Sequence, residues 1–139
     1  MHIESLKKIE MHELLCCLRL LTSRSLPDRM RSQIQAKTRS LVKDSVVTDT
    51  AAWSGYGLRP LQVVERPDSP FMDSLSSAVM ANLDYEISMQ SEEGCWLPNW
   101  FWNDDYPEAW LQAKSDWTGV LTLEKLITLK RFGRVEGYD

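Results

Sequence analysis

Residues 69–96, SPFMDSLSSAVMANLDYEISMQSEEGCW, decide the fold. Ser69-Pro70 is a helix-opening pair, a cap-type residue followed by a proline that suits a first turn. Met72, Leu75, Val79, Leu83 and Ile87 then recur at the 3.6-residue period and share one face, while Asp73, Ser77, Asp84 and Ser88 share a polar one. The spacing predicts a helix from Pro70 to about Gln90. Gly94 and, just beyond, Pro98 break the pattern and predict a loop running to the next proline, Pro107.

The same period governs the chain upstream. Ser25-Leu26-Pro27-Asp28 opens a helix predicted to run to about Ser45, with Met30, Ile34 and Leu41 as a narrow apolar stripe. Arg29, Arg31, Lys37, Arg39 and Lys43 spread over the rest of it, which reads as a solvated face and not as a nucleic-acid stripe. Residues 3 to about 22 read as an earlier helix, in which Ile3, Leu6, Leu14, Cys17 and Leu21 would share a face. Leu15, Leu18 and Leu20 widen that face until little polar surface remains. So wide a stripe asks for more cover than two neighbouring helices give. It leads us to expect a homo-oligomer with Leu14, Leu18 and Leu21 at or near the contact, or further hairpins preceding residue 1.

Downstream, Pro107 starts a short helix over about 107–116. Thr122 caps a last helix over 123–132, with Leu123, Leu126, Ile127 and Leu129 inward and Gly133 as the residue that ends it. Thr48 to Pro70 is the longest irregular stretch. Its apolar content (Trp53, Leu58, Leu61, Val63, Val64) predicts a packed connection, and loops of that length are usually functional. No segment alternates at period two. The expected fold is all-α, a single domain over 1–139 of antiparallel helical hairpins.

Composition narrows the function classes. Hydrophobic residues are 43% and charged residues 26% of 139, as in an ordinary globular chain. The net charge of −4 argues against a dedicated nucleic-acid binder. The charge is uneven: residues 1–43 carry nine basic and four acidic groups, and residues 44–116 carry three basic and thirteen acidic ones. Opposite fields of this kind can hold two parts of a chain together or steer a partner. Cys16, Cys17 and Cys95 are odd in number and include no CxxC, which predicts reduced thiols and a cytoplasmic location. The longest apolar run, Leu14 to Leu21, is interrupted by Arg19 and is too short to span a bilayer.

Gln90-x-x-x-Gly94-x-Trp96, placed directly after an apolar helix, resembles the QW repeat of squalene-hopene and oxidosqualene cyclases. The wider stretch from WSGYGLRPL through PDSPF, NLDYEISMQ and GCWLPNWFW to SDWTGVLTLEKL, about residues 50–135, is similar to small proteins of the same terpenoid cyclase and protein prenyltransferase superfamily. That resemblance implies an α/α toroid of concentric helical hairpins, in which the glutamine and tryptophan tie one hairpin to the next. It implies a partial toroid here, because five helices are too few to close one. It carries architecture and not an activity. The chain has no DxDD acid motif. Asn103-Asp104-Asp105-Tyr106 is its nearest acidic pair, and Asp104-Asp105-Tyr106-Pro107-Glu108 only echoes the magnesium-binding DDxxD. His2 and His12, the two histidines, stand in no zinc motif of the prenyltransferase kind.

Candidate site residues follow from residue type. Trp96, Trp100 and Trp102 belong to a cluster of five tryptophans between Trp96 and Trp117. They could form either an apolar lid on the hairpin ends or an aromatic wall for an isoprenoid-like ligand, whose cationic states π-faces stabilise. Asp104 and Asp105 could hold magnesium, a hard cation that takes carboxylate oxygens, or simply favour the positive end of the following helix. Trp53, Tyr56 and Arg59 sit in the long connection, where an arginine beside aromatics could hold a carboxylate or phosphate. The alternative has Arg59 stacked on Trp53 or Tyr56, or paired with Glu65 or Asp68. His12 and Cys16 share a face at i, i+4, but no further zinc ligands accompany them, so the expectation is no metal site and no cofactor. Two functions remain: a non-catalytic binding or interaction domain, or a terpenoid cyclase or prenyltransferase-type enzyme completed by a partner or a longer chain. The absent DxDD favours the first.

Overall fold

The computed structural model describes residues 10–102 and 105–137. Ile3 and Leu6 of the expected first helix, His2, Asn103 and Asp104 lie outside the described residues. Among the described residues five α-helices follow one another: α1 (Met11–Leu21), α2 (Asp28–Ser45), α3 (Pro60–Val63), α4 (Met72–Ser88) and α5 (Pro107–Arg131). Among the described residues the only β pairing is an isolated bridge between Val46 and Leu58. The fold is all-α.

α1 packs on α2 and α3, and α3 packs on α4. The apolar stripe of α1 finds its cover within the chain: Leu14 and Cys17 are buried, and Leu15, Leu18 and Leu21 pack half-buried against the core. An oligomer contact through Leu14 is therefore not available, because that side chain is wholly enclosed. Arg31 of α2 reaches back to the end of α1 and donates to the carbonyls of Leu21 and Ser23, which a helix terminus otherwise leaves without partners.

The long connection is packed, as its composition predicts, and it is partly helical. A 3₁₀ turn covers Thr50–Ala52 and α3 opens at Pro60. Val47 N–H donates to Leu58 O at 2.8 Å, and the Trp53 indole donates to Val47 O at 2.6 Å. These two bonds fold the segment onto itself and carry Leu58, Leu61, Val63 and Val64 into the main core with Leu75, Val79 and Leu83 of α4.

Two expected C-terminal helices are one helix of 25 residues. Gly119 does not break it, since a mid-helix glycine costs only about 1 kcal/mol relative to alanine. Thr122 is no cap; its hydroxyl instead accepts the Trp96 backbone N–H at 3.1 Å. Leu129 is the one buried residue of α5, while Leu123, Leu126 and Ile127, expected inward, are exposed. The helix ends as its sequence predicts. Gly133 adopts φ +65°, its N–H donates to Lys130 O and Arg134 N–H to Leu129 O, which is a Schellman pairing.

Among the described residues no helix is long and apolar enough to cross a membrane.

Candidate functional site

Helix α4 buries Leu75, Val79, Asn82, Leu83 and Glu86. Two polar groups thus sit on its core face, one turn apart. Asn82 Oδ1 accepts the Leu61 N–H at 3.1 Å, fixing the first turn of α3, and its amide nitrogen approaches Glu86 Oε1 at 3.4 Å. The same carboxylate oxygen takes Arg59 at 3.2 Å and Lys125 Nζ at 2.8 Å. Arg59 stands at the entry to α3 and Lys125 on α5, so one buried carboxylate joins three helices. Its two cationic partners leave the cluster with a surplus positive charge, at the edge of the core. Burial of this kind is stable only when each charge is paired.

Glu86 and Lys125 line part of a cavity of about 770 Å³ between α1, α3 and the last turns of α5. Its apolar wall includes Leu15, Leu18, Leu61, Phe71 and Ile127, and Arg19, Arg31, Arg66 and Arg131 stand around it. No tryptophan lines it.

The sequence-derived candidates do not converge on one cavity. Trp53 is enclosed in the core, with its ring edge-on to Tyr85 at 5.3 Å between centroids. Tyr56 is 82% exposed and shares a 2.9 Å hydrogen bond with His12 Nε2. Arg59 stacks neither on Trp53 nor on Tyr56; its guanidinium lies over the Tyr85 ring, 5.4 Å from the centroid, while it pairs with Glu86. Trp96 is buried against α4, with its indole N–H donating to Glu86 O at 2.7 Å. Gln90 donates from its side-chain amide to Gly94 O at 2.9 Å, so both residues tie the loop to the end of α4.

Trp100 and Trp102 belong to a different surface. Trp100 meets Trp117 edge-on at 5.4 Å, and Trp102 meets Trp110 at 5.4 Å with tilted planes. These pairs pin the loop before α5 to the first half of that helix, yet Trp100, Trp102 and Trp117 all stay exposed. Phe101 is exposed beside them, and Leu111 is 70% exposed. Farther along α5, Val120 and Leu123 are exposed as well. Asp105 is exposed, and its partner in the expected acidic pair, Asp104, lies outside the described residues. Cys16 is exposed, and among the described residues no group of three His, Cys, Asp or Glu side chains could hold a metal ion.

Sequence reasoning missed Asn82, Glu86 and Lys125. A signal was present: Leu75, Val79, Asn82, Leu83 and Glu86 continue the buried stripe at steps of three and four, whereas Ile87 is turned outward. It also missed the outward α5 face, because that helix was divided in two.

Compared with protein-family models, with curated proteins and with solved structures, the chain matches none.

Proposed function

We propose that the protein is a non-catalytic helical interaction domain, a partial α/α toroid by descent, whose working surface is the aromatic and aliphatic face formed by residues 97–102 and 105–123. The observation that carries the reading is the pair of tryptophan contacts, Trp100 with Trp117 and Trp102 with Trp110, in which Trp100, Trp102 and Trp117 stay exposed on the same stretch as exposed Val120 and Leu123. Aromatic side chains already held by their neighbours lose little freedom on binding and dominate the energetics of protein contacts. Contiguous apolar surface of this kind marks an interaction site. The Gln90–Gly94 bond and the packing of Trp96 on α4 agree with the tying role that the toroid resemblance implies, and they support descent without supplying chemistry.

A fluorescent hydrophobic probe such as bis-ANS tests the reading on the native chain. We expect dye binding by wild type and loss of most of it in Leu123→Lys, with the helical circular dichroism unchanged. Equal dye binding by the two chains, or none by either, contradicts it.

A further inference from the structure

The cavity between α1, α3 and the last turns of α5 is charged against the sign of the chain. Its lining holds five cations, Arg19, Arg31, Arg66, Lys125 and Arg131, against three carboxylates, Glu65, Glu86 and Glu124. Five less three leaves +2 there, on a chain whose net charge is −4. Most of these charges are already met. Arg131 has Glu65 at 4.0 Å, and Arg66 has Asp68 at 3.5 Å. Arg31 is held on the carbonyls of Leu21 and Ser23. Arg19 and Glu124 are exposed, where water and salt screen them.

Lys125 is different. Its ammonium carries three donors, one of which reaches Glu86 at 2.8 Å, and no second acceptor meets it among the described residues. The Lys125 side chain is 27% exposed and that of Arg59, the other cation on the carboxylate, 19%. Two largely buried cations thus share one buried anion, and one unit of positive charge stays uncompensated away from bulk water. Lys125 and Glu86 line the cavity and Arg59 does not, so the unmet charge faces the cavity through Lys125. The rest of the wall suits an apolar chain. Leu15 and Leu18 of α1, Leu61 of α3, Phe71 and Ile127 supply it, and 770 Å³ lies within the range of about 300–1,000 Å³ that small-molecule sites occupy.

We infer that this cavity binds a single-chain amphiphilic carboxylate, of the chemical class of a fatty acid, with its carboxylate on the Lys125 ammonium and its chain along Leu18, Leu61 and Ile127. A monoanion supplies the one charge that the Arg59–Glu86–Lys125 cluster lacks. A phosphate dianion would oversupply it beside Glu86 and Glu124, and a neutral chain would leave it unmet. No residue of the tryptophan-bearing stretch 97–123 lines the cavity, so this site is separate from the proposed interaction surface.

Isothermal titration calorimetry of the full chain with decanoate tests it, with 1-decanol as the neutral chain of equal length. Decanoate should bind about tenfold or more tightly than 1-decanol, through a charge-assisted hydrogen bond that the alcohol cannot make. Each two methylenes removed from the acid should weaken binding roughly 4- to 15-fold, for half to full burial of the chain. Lys125→Met should bring decanoate down to the affinity of 1-decanol and leave 1-decanol unchanged, a pattern that misfolding does not give. Ile127→Asp, which sets a charge in the path of the chain, should weaken both ligands. Leu123→Lys, outside the cavity, should weaken neither. No decanoate binding by wild type, equal affinity for acid and alcohol, or a Lys125→Met chain that keeps the preference overturns the inference. An Ile127→Asp chain that binds both as wild type does overturns the placement of the chain. Decanoate binding lost in Leu123→Lys puts the acid on the tryptophan surface and overturns the cavity site. Failure of the decanoate arms with bis-ANS binding still dependent on Leu123 removes this site and leaves the interaction surface standing.

Discussion

The indole N–H of Trp96 donates to the carbonyl of Glu86 at 2.7 Å, in the last turn of α4. At that point the helix is running out of its own donors, and the ring that supplies one also fills the core. The Trp96 backbone N–H meanwhile reaches Thr122 on α5. One residue of the loop therefore joins α4 to α5. Trp96→Ala should cost about 3–5 kcal/mol, as removal of a buried aromatic ring does. Gln90→Ala should cost only about 0.5–1.5 kcal/mol, since its bond to Gly94 lies at the surface. Urea denaturation of both variants checks the order, and a Gln90→Ala loss as large as that of Trp96→Ala would contradict it.

Removing the shared carboxylate should be worse than removing either cation. Glu86→Gln leaves Arg59 and Lys125 facing each other with no anion between them, and should destabilise the fold by about 3–5 kcal/mol. Lys125→Met keeps the Arg59–Glu86 pair and should cost less than half as much. Thermal melts at one pH decide the ranking.

Glycine substitutions should act in opposite directions at two positions. A Cβ at Gly119 meets nothing within 4 Å, so Gly119→Ala should stabilise the chain by about 1 kcal/mol through helix propensity. A Cβ at Gly57 would stand 2.7 Å from Val47 Cγ2, where Val47 is bonded to Leu58. Gly57→Ala should destabilise by about 1–3 kcal/mol. The two melting temperatures should move apart from wild type, one up and one down.

Adjacent cysteines should differ in reactivity. Burial first, then the nearby Cys16 and Glu13, push the Cys17 thiol above its ordinary value of 9.0. Cys16 is exposed and should be alkylated quickly in the native chain, with Cys17 reacting only on unfolding. The folded thiol titrates above the unfolded one, so its contribution to stability is complete below pH 9.0 and is lost as pH rises from there through the folded value. Mass-spectrometric alkylation against pH reads both effects.

The helices α2 and α4 were legible because each keeps a single face at one period, and Gly133 was legible because only one kind of helix ending suits it. α5 was not. It is apolar on both sides, so no moment marks its inner face, and Gly119 with Thr122 imitates a break that neighbouring turns bridge. The candidate aromatics were legible as a cluster, but their residue type cannot separate enclosed rings such as Trp53 and Trp96 from uncovered ones such as Trp100. The Glu86 cluster depends on Arg59 and Lys125, 27 and 39 residues away, and no local pattern joins those positions.

Hydrogen–deuterium exchange of the wild-type chain with and without bis-ANS tests the central claim most directly, because it reads which surface the probe covers. Slower exchange in the presence of the probe is expected in peptides spanning 107–131, with peptides from α4 unchanged. Exchange in 107–131 that ignores the probe, or protection that appears instead over α1 and α3, would contradict the proposed interaction surface.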